Sequence, residues 1–537
     1  MLIGEGEIIN PYRTQYGPGP PQPTGNAVGK QPEELLESIC FKKWRWQWTI
    51  TSRSTMPTLQ KTLDKIQFGD FQTPAELAGA ICKLLSRDGL CPGSVVEPSC
   101  GTGTFLLEAL EHFPQVTTAF ALDINPRYVK KALSAVAQRK KRLRVSVHHD
   151  DFFRMNWHRV LEGLPEPVLI IGNPPWVTSS ELGALGSSNL PTKTNLHQVS
   201  GLEAKTGKSN FDISEWMIIR LLQSLDSKGG TMAMLCKTQV ARKVLTYAWK
   251  HRLSIQESDL YRIDAGRFFS ASVDACLLVC KLSGAASSQE CSLYESVDSR
   301  KPLTRFGYRD NVLVADLRTY ERWKHLGGED AYRWRSGIKH DCARVMELHP
   351  QGKKYRNKLG EVVSLESRAL YPMLKSSDLM DEDLDVPPRR MLVTQTSMAQ
   401  DPAHLKKEAP RTWSYLLAHA ELLDKRSSSI YKKRPRFSSF GVGEYSFAPW
   451  KVAISGFYKS LKFQVVGPYQ NKPTVLDDTC YFIACQSRKE AANLASLLNS
   501  PAAQEFLGSL IFWDSKRPIT IDVLRRLSLT ALARELA

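Results

Sequence analysis

The sequence lacks the features of several large classes of protein. Its 537 residues include 11 cysteines, with no Cys-x-x-Cys pair and no cysteine–histidine spacing typical of zinc ligands. We therefore expect reduced thiols, without structural disulfides and without a bound metal. No apolar run is long enough to cross a membrane, and the first residues lack the basic and apolar regions of a secretory signal. These absences predict a cytoplasmic protein with no membrane partner.

Acidic residues are also in short supply, because 55 of them face 72 lysines and arginines and leave a net charge of +17. The excess of basic over acidic residues is 5 in residues 1–300 and 12 in residues 301–537. A basic C-terminal half suits a polyanionic substrate. A merely soluble basic surface would give the same counts, so charge alone leaves both interpretations open.

One apolar run ends in an unusual turn. The run 168–172 is typical of a buried parallel strand, and Asn173, Pro174, Pro175 and Trp176 follow it. Two prolines fix their φ angles and remove two backbone donors, which leaves carbonyl groups available as acceptors. An Asn amide oxygen and one such carbonyl can accept both hydrogens of an exocyclic amine, while an aromatic ring stacks on the base. These four residues are candidate catalytic residues, although a plain strand-ending turn would have the same sequence.

The segment upstream favours the catalytic interpretation. Gly101 and Gly103 lie between a predicted strand and an amphipathic helix, where glycine lets the backbone approach a ligand closely. Asp123 ends the next strand about 20 residues later, the position of a ribose-binding carboxylate in doubly wound folds. A third strand ends at Asp151 and Phe152. Each acid alone could be an ordinary strand-end residue, but three successive strand ends of this kind indicate a nucleotide-type site.

In this order, the motifs resemble those of the S-adenosylmethionine-dependent DNA adenine-N6 methyltransferases with the gamma order of motifs. The resemblance covers about residues 68 to 281. It implies that Phe269 covers the face of the target base opposite Trp176, with Phe268 as the substitute if the register is off by one. Trp176 stands where Tyr or Phe is commoner in the family, and it preserves stacking. The resemblance further implies S-adenosyl-L-methionine as cofactor, contacted by Thr73, Glu97, Ser99, Gly101, Gly103, Asp123, Asp151, Phe152 and Asn173.

The same resemblance implies an α/β fold. We expect a doubly wound, mostly parallel, seven-stranded methyltransferase sheet followed by a C-terminal α+β DNA-recognition domain. A Pro/Gly-rich leader with an N-terminal helix would occupy residues 1–52, the catalytic domain residues 53–300, and the recognition domain residues 301–537.

The densest basic patch of the C-terminal half is a candidate DNA-binding site. It consists of Lys432, Lys433, Arg434 and Arg436, which could grip phosphates, and a solvated loop is the alternative. Double-stranded DNA is the expected partner of a monomeric prokaryotic protein, with a separately encoded restriction endonuclease as a second partner. Three other functions remain open: an RNA adenine methyltransferase, a protein glutamine methyltransferase and a catalytically inactive DNA-binding subunit.

Overall fold

The computed structural model describes residues 72–138, 143–178, 212–283, 287–381 and 386–537. These residues belong to one compact unit. The leader and N-terminal helix predicted for residues 1–52 lie outside the described residues.

The largest sheet has ten strands in the order β10-β9-β8-β6-β7-β5-β4-β1-β2-β3. Strands β1 to β5 pair in parallel, and β7 runs antiparallel to both β5 and β6. The first seven strands therefore form the predicted doubly wound, mostly parallel methyltransferase sheet, and this prediction is confirmed. The strands are β1 (Ser94–Glu97), β2 (Thr118–Asp123), β3 (Arg144–His149), β4 (Val168–Gly172), β5 (Gly230–Lys237), β6 (Ile255–Ile263), β7 (Ala275–Leu282), β8 (Glu290–Tyr294), β9 (Thr304–Arg309) and β10 (Val312–Val314).

Helices cover both faces of this sheet because its central strands are apolar on both sides. Val95 and Leu169 face one hydrophobic cluster, whereas their neighbours Val96 and Ile170 face the other. Successive residues of a strand point to opposite faces, so an unbroken apolar strand requires a helical layer on each side. The helices are α1 (Ala75–Arg87), α2 (Thr104–His112), α3 (Pro126–Ala137), α4 (Trp157–Glu162), α5 (Ile213–Asp226), α6 (Thr238–Lys250) and α7 (Ala265–Phe269).

Strands β9 and β10 follow residue 300, where the sequence places the domain boundary, and they extend the same sheet. After them, short α8 (Leu317–Trp323) packs against the C-terminal helices through the cluster around Tyr320 and Phe506.

The remaining residues form a mixed α+β region with two smaller sheets. One has four antiparallel strands in the order β11-β20-β17-β18, and the other has six strands in the order β14-β13-β12-β16-β15-β19. The strands are β11 (Trp334–Ser336), β12 (Glu347–Gln351), β13 (Lys354–Asn357), β14 (Val362–Val363), β15 (Leu370–Leu374), β16 (Arg389–Leu392), β17 (Trp450–Ser455), β18 (Gln464–Val466), β19 (Val475–Leu476) and β20 (Cys480–Cys485). The helices are α9 (Ala343–Met346), α10 (Leu405–Glu408), α11 (Pro410–Ala418), α12 (Ala420–Asp424), α13 (Arg488–Leu498), α14 (Pro501–Leu510), α15 (Ile521–Leu524) and α16 (Leu529–Glu535).

Within the part of the chain that the structure describes, no helix has the length and hydrophobicity of a membrane span. The same residues contain no group of three or more histidine, cysteine, aspartate or glutamate side chains placed to hold a metal ion.

Candidate active site

Three loops at the carboxyl ends of adjacent strands form the candidate site. Strand β1 lies between β2 and β4, so the segments that follow these strands are neighbours. Glu97 and the glycine loop lie at the end of β1, Asp123 lies at the end of β2, and Asn173 follows β4. This is the edge of the sheet at which doubly wound proteins bind their ligands.

The glycine loop has a conformation that only glycine adopts readily. Gly101 has φ +51° and Gly103 has φ +83°, both in the left-handed region. A Cβ atom on Gly101 would lie 2.8 Å from the side-chain amide of Gln72. That amide oxygen accepts hydrogen bonds from the backbone N–H and the hydroxyl of Thr102, at 3.3 and 3.1 Å. Gln72 therefore closes one side of the loop.

Asp123 organises the loop from the other side. One carboxylate oxygen accepts the backbone N–H of Gly101 at 2.7 Å, and the other accepts the N–H of Asn125 at 2.8 Å. Both are charge-assisted bonds, which are stronger than bonds between neutral groups. Asp123 thus fixes the glycine loop relative to the start of α3.

Glu97 lies beneath the loop. Its side chain is buried, and one oxygen accepts the backbone N–H of Leu106 in the first turn of α2 at 2.9 Å. Burial raises the pKa of Glu97 well above its usual range, and the backbone donors of α2 lower it only in part. The observed contact makes Glu97 a support of the α2 N-terminus, and its contact with the cofactor stays a prediction.

The other predicted cofactor residues surround these groups. The hydroxyl oxygen of Ser99 is buried and has no hydrogen-bond partner among the described residues. Thr73 is half-buried just before α1. Asp151 accepts the N–H of Phe153 at 2.9 Å, and Phe152 packs on the Trp157 ring at a centroid distance of 4.8 Å. Ser99 and Asp151 follow β1 and β3, Thr73 precedes α1, and Phe152 is buried in the core. Their contact with the cofactor stays a prediction.

The aromatic residues of the predicted base site are in contact. The Trp176 and Phe269 rings are 5.1 Å apart and cross at 67°, an edge-to-face arrangement. Both side chains are only 5% exposed. The alternative residue, Phe268, instead lies 4.8 Å from the Arg267 guanidinium. The structure therefore brings Phe269 to Trp176, in the register that the sequence motif favoured.

Sequence reasoning missed Lys237, the last residue of β5. Its Nζ donates to the Trp176 carbonyl oxygen at 3.0 Å and to Asp212 Oδ2 at 2.7 Å. Asp212 in turn accepts the N–H of Ser214 at 3.1 Å and caps α5. Lys237 therefore links the Asn-Pro-Pro-Trp loop to α5. The signal in the sequence was a single cation at the end of an otherwise apolar strand.

No family model matches the sequence. A curated relative, the type II methyltransferase M.NspV of a Nostoc species, is 42% identical over 476 residues, which span 88% of this chain and 98% of that protein. The chain belongs to the type II methyltransferases. In addition, the solved structure of the type IIL restriction-modification enzyme MmeI in complex with DNA matches with a TM-score of 0.50. That match covers 88% of this chain and 67% of the other at 14% identity, so it supports the fold alone.

In this type II methyltransferase the predicted basic patch is only partly available to a ligand. Lys432 and Lys433 are exposed. Arg434 is also exposed, but it donates to the Met398 carbonyl at 2.9 Å. Arg436 forms a two-pronged ion pair with Asp424. Since an arginine already paired with a carboxylate offers less to a phosphate, the two lysines are the stronger candidates.

A polar cleft of about 630 Å³ adjoins the candidate site of the methyltransferase. Thr238 lines it, immediately after Lys237, and so does Asp514 from the C-terminal region. The Arg242 guanidinium of α6 binds Asp514 through two bonds, one of which is 2.8 Å long. The C-terminal region is thereby joined to the catalytic sheet beside the predicted base site.

Proposed function

We propose that this chain is a site-specific DNA methyltransferase that transfers a methyl group from S-adenosylmethionine to the N6 amino group of an adenine flipped out of the duplex. The observation that carries the proposal is the position of the Asn-Pro-Pro-Trp loop. Asn173 follows the central strand β4 beside the glycine loop, and Trp176 is held by Lys237 and faces Phe269.

The residues of the glycine loop fit this cofactor. The buried Ser99 hydroxyl lacks a partner among the described residues, and a side chain at Gly101 would fill the space next to Gln72. One Asp123 oxygen accepts the N–H of Gly101 and the other that of Asn125, which places the carboxylate beside the glycine loop, where a ribose hydroxyl would donate to it. The bound cofactor supplies a methyl group on a positively charged sulfur.

Asn173 and Pro174 would orient the attacking amine. The Asn173 side-chain oxygen and the Pro174 carbonyl accept the two N6 hydrogens, which draws the nitrogen lone pair out of conjugation with the ring. The N6 lone pair would form the new bond to the methyl carbon as the carbon–sulfur bond breaks, with that bond's electron pair left on the now neutral sulfur. A proton would then leave N6 to solvent. Since hydrogen bonding polarises the amine, no general base with a shifted pKa is needed before attack.

Trp176 and Phe269 would hold the two faces of the base. A base stacked between them needs about 3.5 Å on each side, and therefore ring planes about 7 Å apart. Their centroids are now 5.1 Å apart. The two rings must therefore separate before a base can enter. In the absence of a base, their contact keeps the apolar surfaces of both rings away from water.

Several observations support DNA as the substrate and a restriction-modification setting. The 42% identical relative is a type II methyltransferase, and the solved structure of similar fold is a restriction-modification enzyme bound to DNA. Residues 301–537 carry most of the positive charge, and Lys432 and Lys433 are exposed. A separately encoded endonuclease, a monomeric state and a prokaryotic cytoplasmic location complete the proposal.

The test combines sequencing of modified bases with one substitution. DNA from cells that express the wild-type protein should carry N6-methyladenine within a defined sequence, and the purified protein should transfer labelled methyl groups to unmethylated plasmid DNA but not to RNA. Asn173→Ala should lower turnover at least a hundredfold, while DNA and cofactor still bind, because it removes a contact that strengthens in the transition state. The assignment collapses if Asn173→Ala methylates DNA at close to the wild-type rate.

A further inference from the structure

The turn between β17 and β18 presents two adjacent exposed aromatic side chains. Phe457 is 40% exposed and Tyr458 is 42% exposed. Exposed large aromatic residues in a cluster commonly mark an interaction site.

Backbone hydrogen bonds fix the turn that carries these side chains. The backbone N–H groups of both residues donate to the Ser455 hydroxyl at 3.2 Å. The preceding Gly456 donates its N–H to the Thr479 carbonyl at 2.9 Å, and a Cβ there would lie 2.8 Å from the Tyr481 ring. The turn therefore sits directly on β20, and we call the pair Phe457 and Tyr458 the aromatic tip.

Basic residues surround the aromatic tip. The Arg517 guanidinium lies 4.6 Å from the centroid of the Phe457 ring and donates to the Asp478 carbonyl at 2.7 Å. Lys459, which follows the tip in the sequence, and Lys516, which precedes Arg517, are both exposed. A cleft of about 360 Å³ separates the tip from the segment that begins at Lys375, which is paired with Glu347 and Asp477. Rings flanked by cations match the chemistry of a nucleic acid, with its stacked bases and phosphates.

The contacts also connect the aromatic tip to the candidate active site. Lys237 holds the Trp176 carbonyl, and α6 begins at the next residue. Arg242 of α6 binds Asp514, which precedes the tip-contacting Arg517 by three residues. Three residues span at most about 10 Å. The short segment from Asp514 to Arg517 therefore runs from a residue that lines the polar cleft to a residue that contacts the tip.

We propose that the aromatic tip contacts the bases of the substrate duplex next to the extruded adenine, as an apolar wedge, while Lys459 and Lys516 bind the flanking phosphates. This inference rests on the proposed function and adds to it a duplex-distorting element. Proteins that open or bend DNA insert apolar side chains between base steps in this way. Contacts of the aromatic rings with the neighbouring bases would offset the stacking that is lost when the adenine leaves the duplex.

The test compares the double variant Phe457→Ala/Tyr458→Ala with Tyr332→Ala. Tyr332 is 40% exposed and lies near Cys485, at the opposite end of β20 from the aromatic tip, so its substitution is a matched control. The probe is a short duplex with the methylated sequence found in expressing cells, with a fluorescent adenine analogue at the target position. Duplex affinity, analogue fluorescence, cofactor affinity and melting temperature are measured for each variant.

The double variant should bind the duplex roughly ten- to a hundredfold more weakly and give a smaller fluorescence rise, with unchanged cofactor affinity and melting temperature. Tyr458→Phe should keep most of the duplex affinity and fluorescence rise that Tyr458→Ala loses, since the ring and not the hydroxyl is required. Duplex affinity and fluorescence equal to those of Tyr332→Ala would overturn the wedge even if the wild-type protein methylates DNA. Absence of methyl transfer by the wild-type protein would instead overturn the proposed function and the wedge together, because the wedge acts on the target site of that reaction.

Discussion

At the scale of single residues, the predicted catalytic side chains depend on partners outside their own motif. Trp176 belongs to the loop after β4, but its carbonyl is held by Lys237 at the end of β5. The same ammonium pairs with Asp212, whose side chain is 8% exposed. Lys237 is a positioning residue, since its contacts are with the loop and with α5.

Lys237→Met should reduce turnover while cofactor affinity stays near the wild-type value. Loss of the ammonium releases the Trp176 carbonyl and leaves Asp212 without this cation, and a misplacement of about 1 Å in an active site can cost a hundredfold in rate. Steady-state kinetics should show the loss mainly in kcat, and calorimetry should show little change in cofactor Kd.

Lys237→Arg serves as the matched variant because it retains the charge. It should keep a large part of the activity, and adding Asp212→Asn to Lys237→Met should recover stability by removing the uncompensated carboxylate. A fall in cofactor affinity equal to the fall in kcat would contradict a role confined to the loop.

The difference between Lys237 and the residues found from the sequence has a physical basis. The positions of Asn173, Trp176 and Asp123 at or just after strand ends could be predicted because their spacing in the chain follows from the order of strands and turns. Lys237 acts across 61 residues on Trp176, through a contact that exists only after β4 and β5 pair in parallel. The burial of Glu97 beneath α2 likewise depends on how the helix closes over β1.

At the scale of elements, the unbroken apolar runs of the central strands made the sheet from β1 to β7 predictable. Strands β8 to β10 lack such runs and could not be predicted in the same way. The central strand β4 is buried at all five positions, as a strand covered on both faces must be. Strand β9 is buried only at its centre, and β10 has three residues. Their place in the sheet is set by pairing with distant strands, which a local pattern does not encode.

Strand β17 carries a buried cation that makes stability depend on pH. Lys451 is 1% exposed, and its Nζ donates to the Ala448 carbonyl at 2.6 Å. Burial lowers the pKa of Lys451 to about 7. In the unfolded chain the pKa is about 10.4, so between these values the unfolded state binds more protons. The free energy of unfolding should therefore rise with pH through this window.

Lys451→Met should raise the free energy of unfolding at pH 7 and flatten its pH dependence. The wild-type protein should gain on the order of 1–2 kcal/mol relative to the variant between pH 7 and pH 8.5. Unfolded cysteines begin to ionise in this range, but both proteins carry the same cysteines, so the difference between them is unaffected. Denaturant melts across that range provide the measurement, with Lys489→Met as the control because Lys489 is exposed. Parallel pH profiles for wild type and Lys451→Met would show that the buried ammonium does not titrate in this window.

At the scale of the whole molecule, the proposed methyl transfer to a chosen base would require the C-terminal region to hold a fixed position on the catalytic sheet. Arg242 and Asp514 are 272 residues apart in sequence and bind through two contacts, with side chains 11% and 27% exposed. The Arg242 guanidinium also lies 4.1 Å from the centroid of the Phe512 ring. The basic character of the C-terminal half suits a polyanionic substrate without establishing one, and no sequence pattern indicated which acidic residue of that half would anchor it to the catalytic sheet.

A double-mutant cycle on Arg242 and Asp514 should reveal this coupling. Two parallel charge-assisted bonds in a partly buried setting should give an interaction energy of about 1–3 kcal/mol in the free energy of unfolding. The same cycle on Arg262 and Glu295, whose side chains are 48% and 62% exposed, should give less than about 1 kcal/mol. Each Arg242 or Asp514 single variant should also lower kcat/KM for DNA about tenfold while cofactor Kd is unchanged, because the duplex loses its alignment with the base site. The contrary result is a cycle on Arg242 and Asp514 that gives the same coupling energy as the exposed pair and leaves kcat/KM for DNA unaltered. That result would show that other contacts fix the C-terminal region on the catalytic sheet.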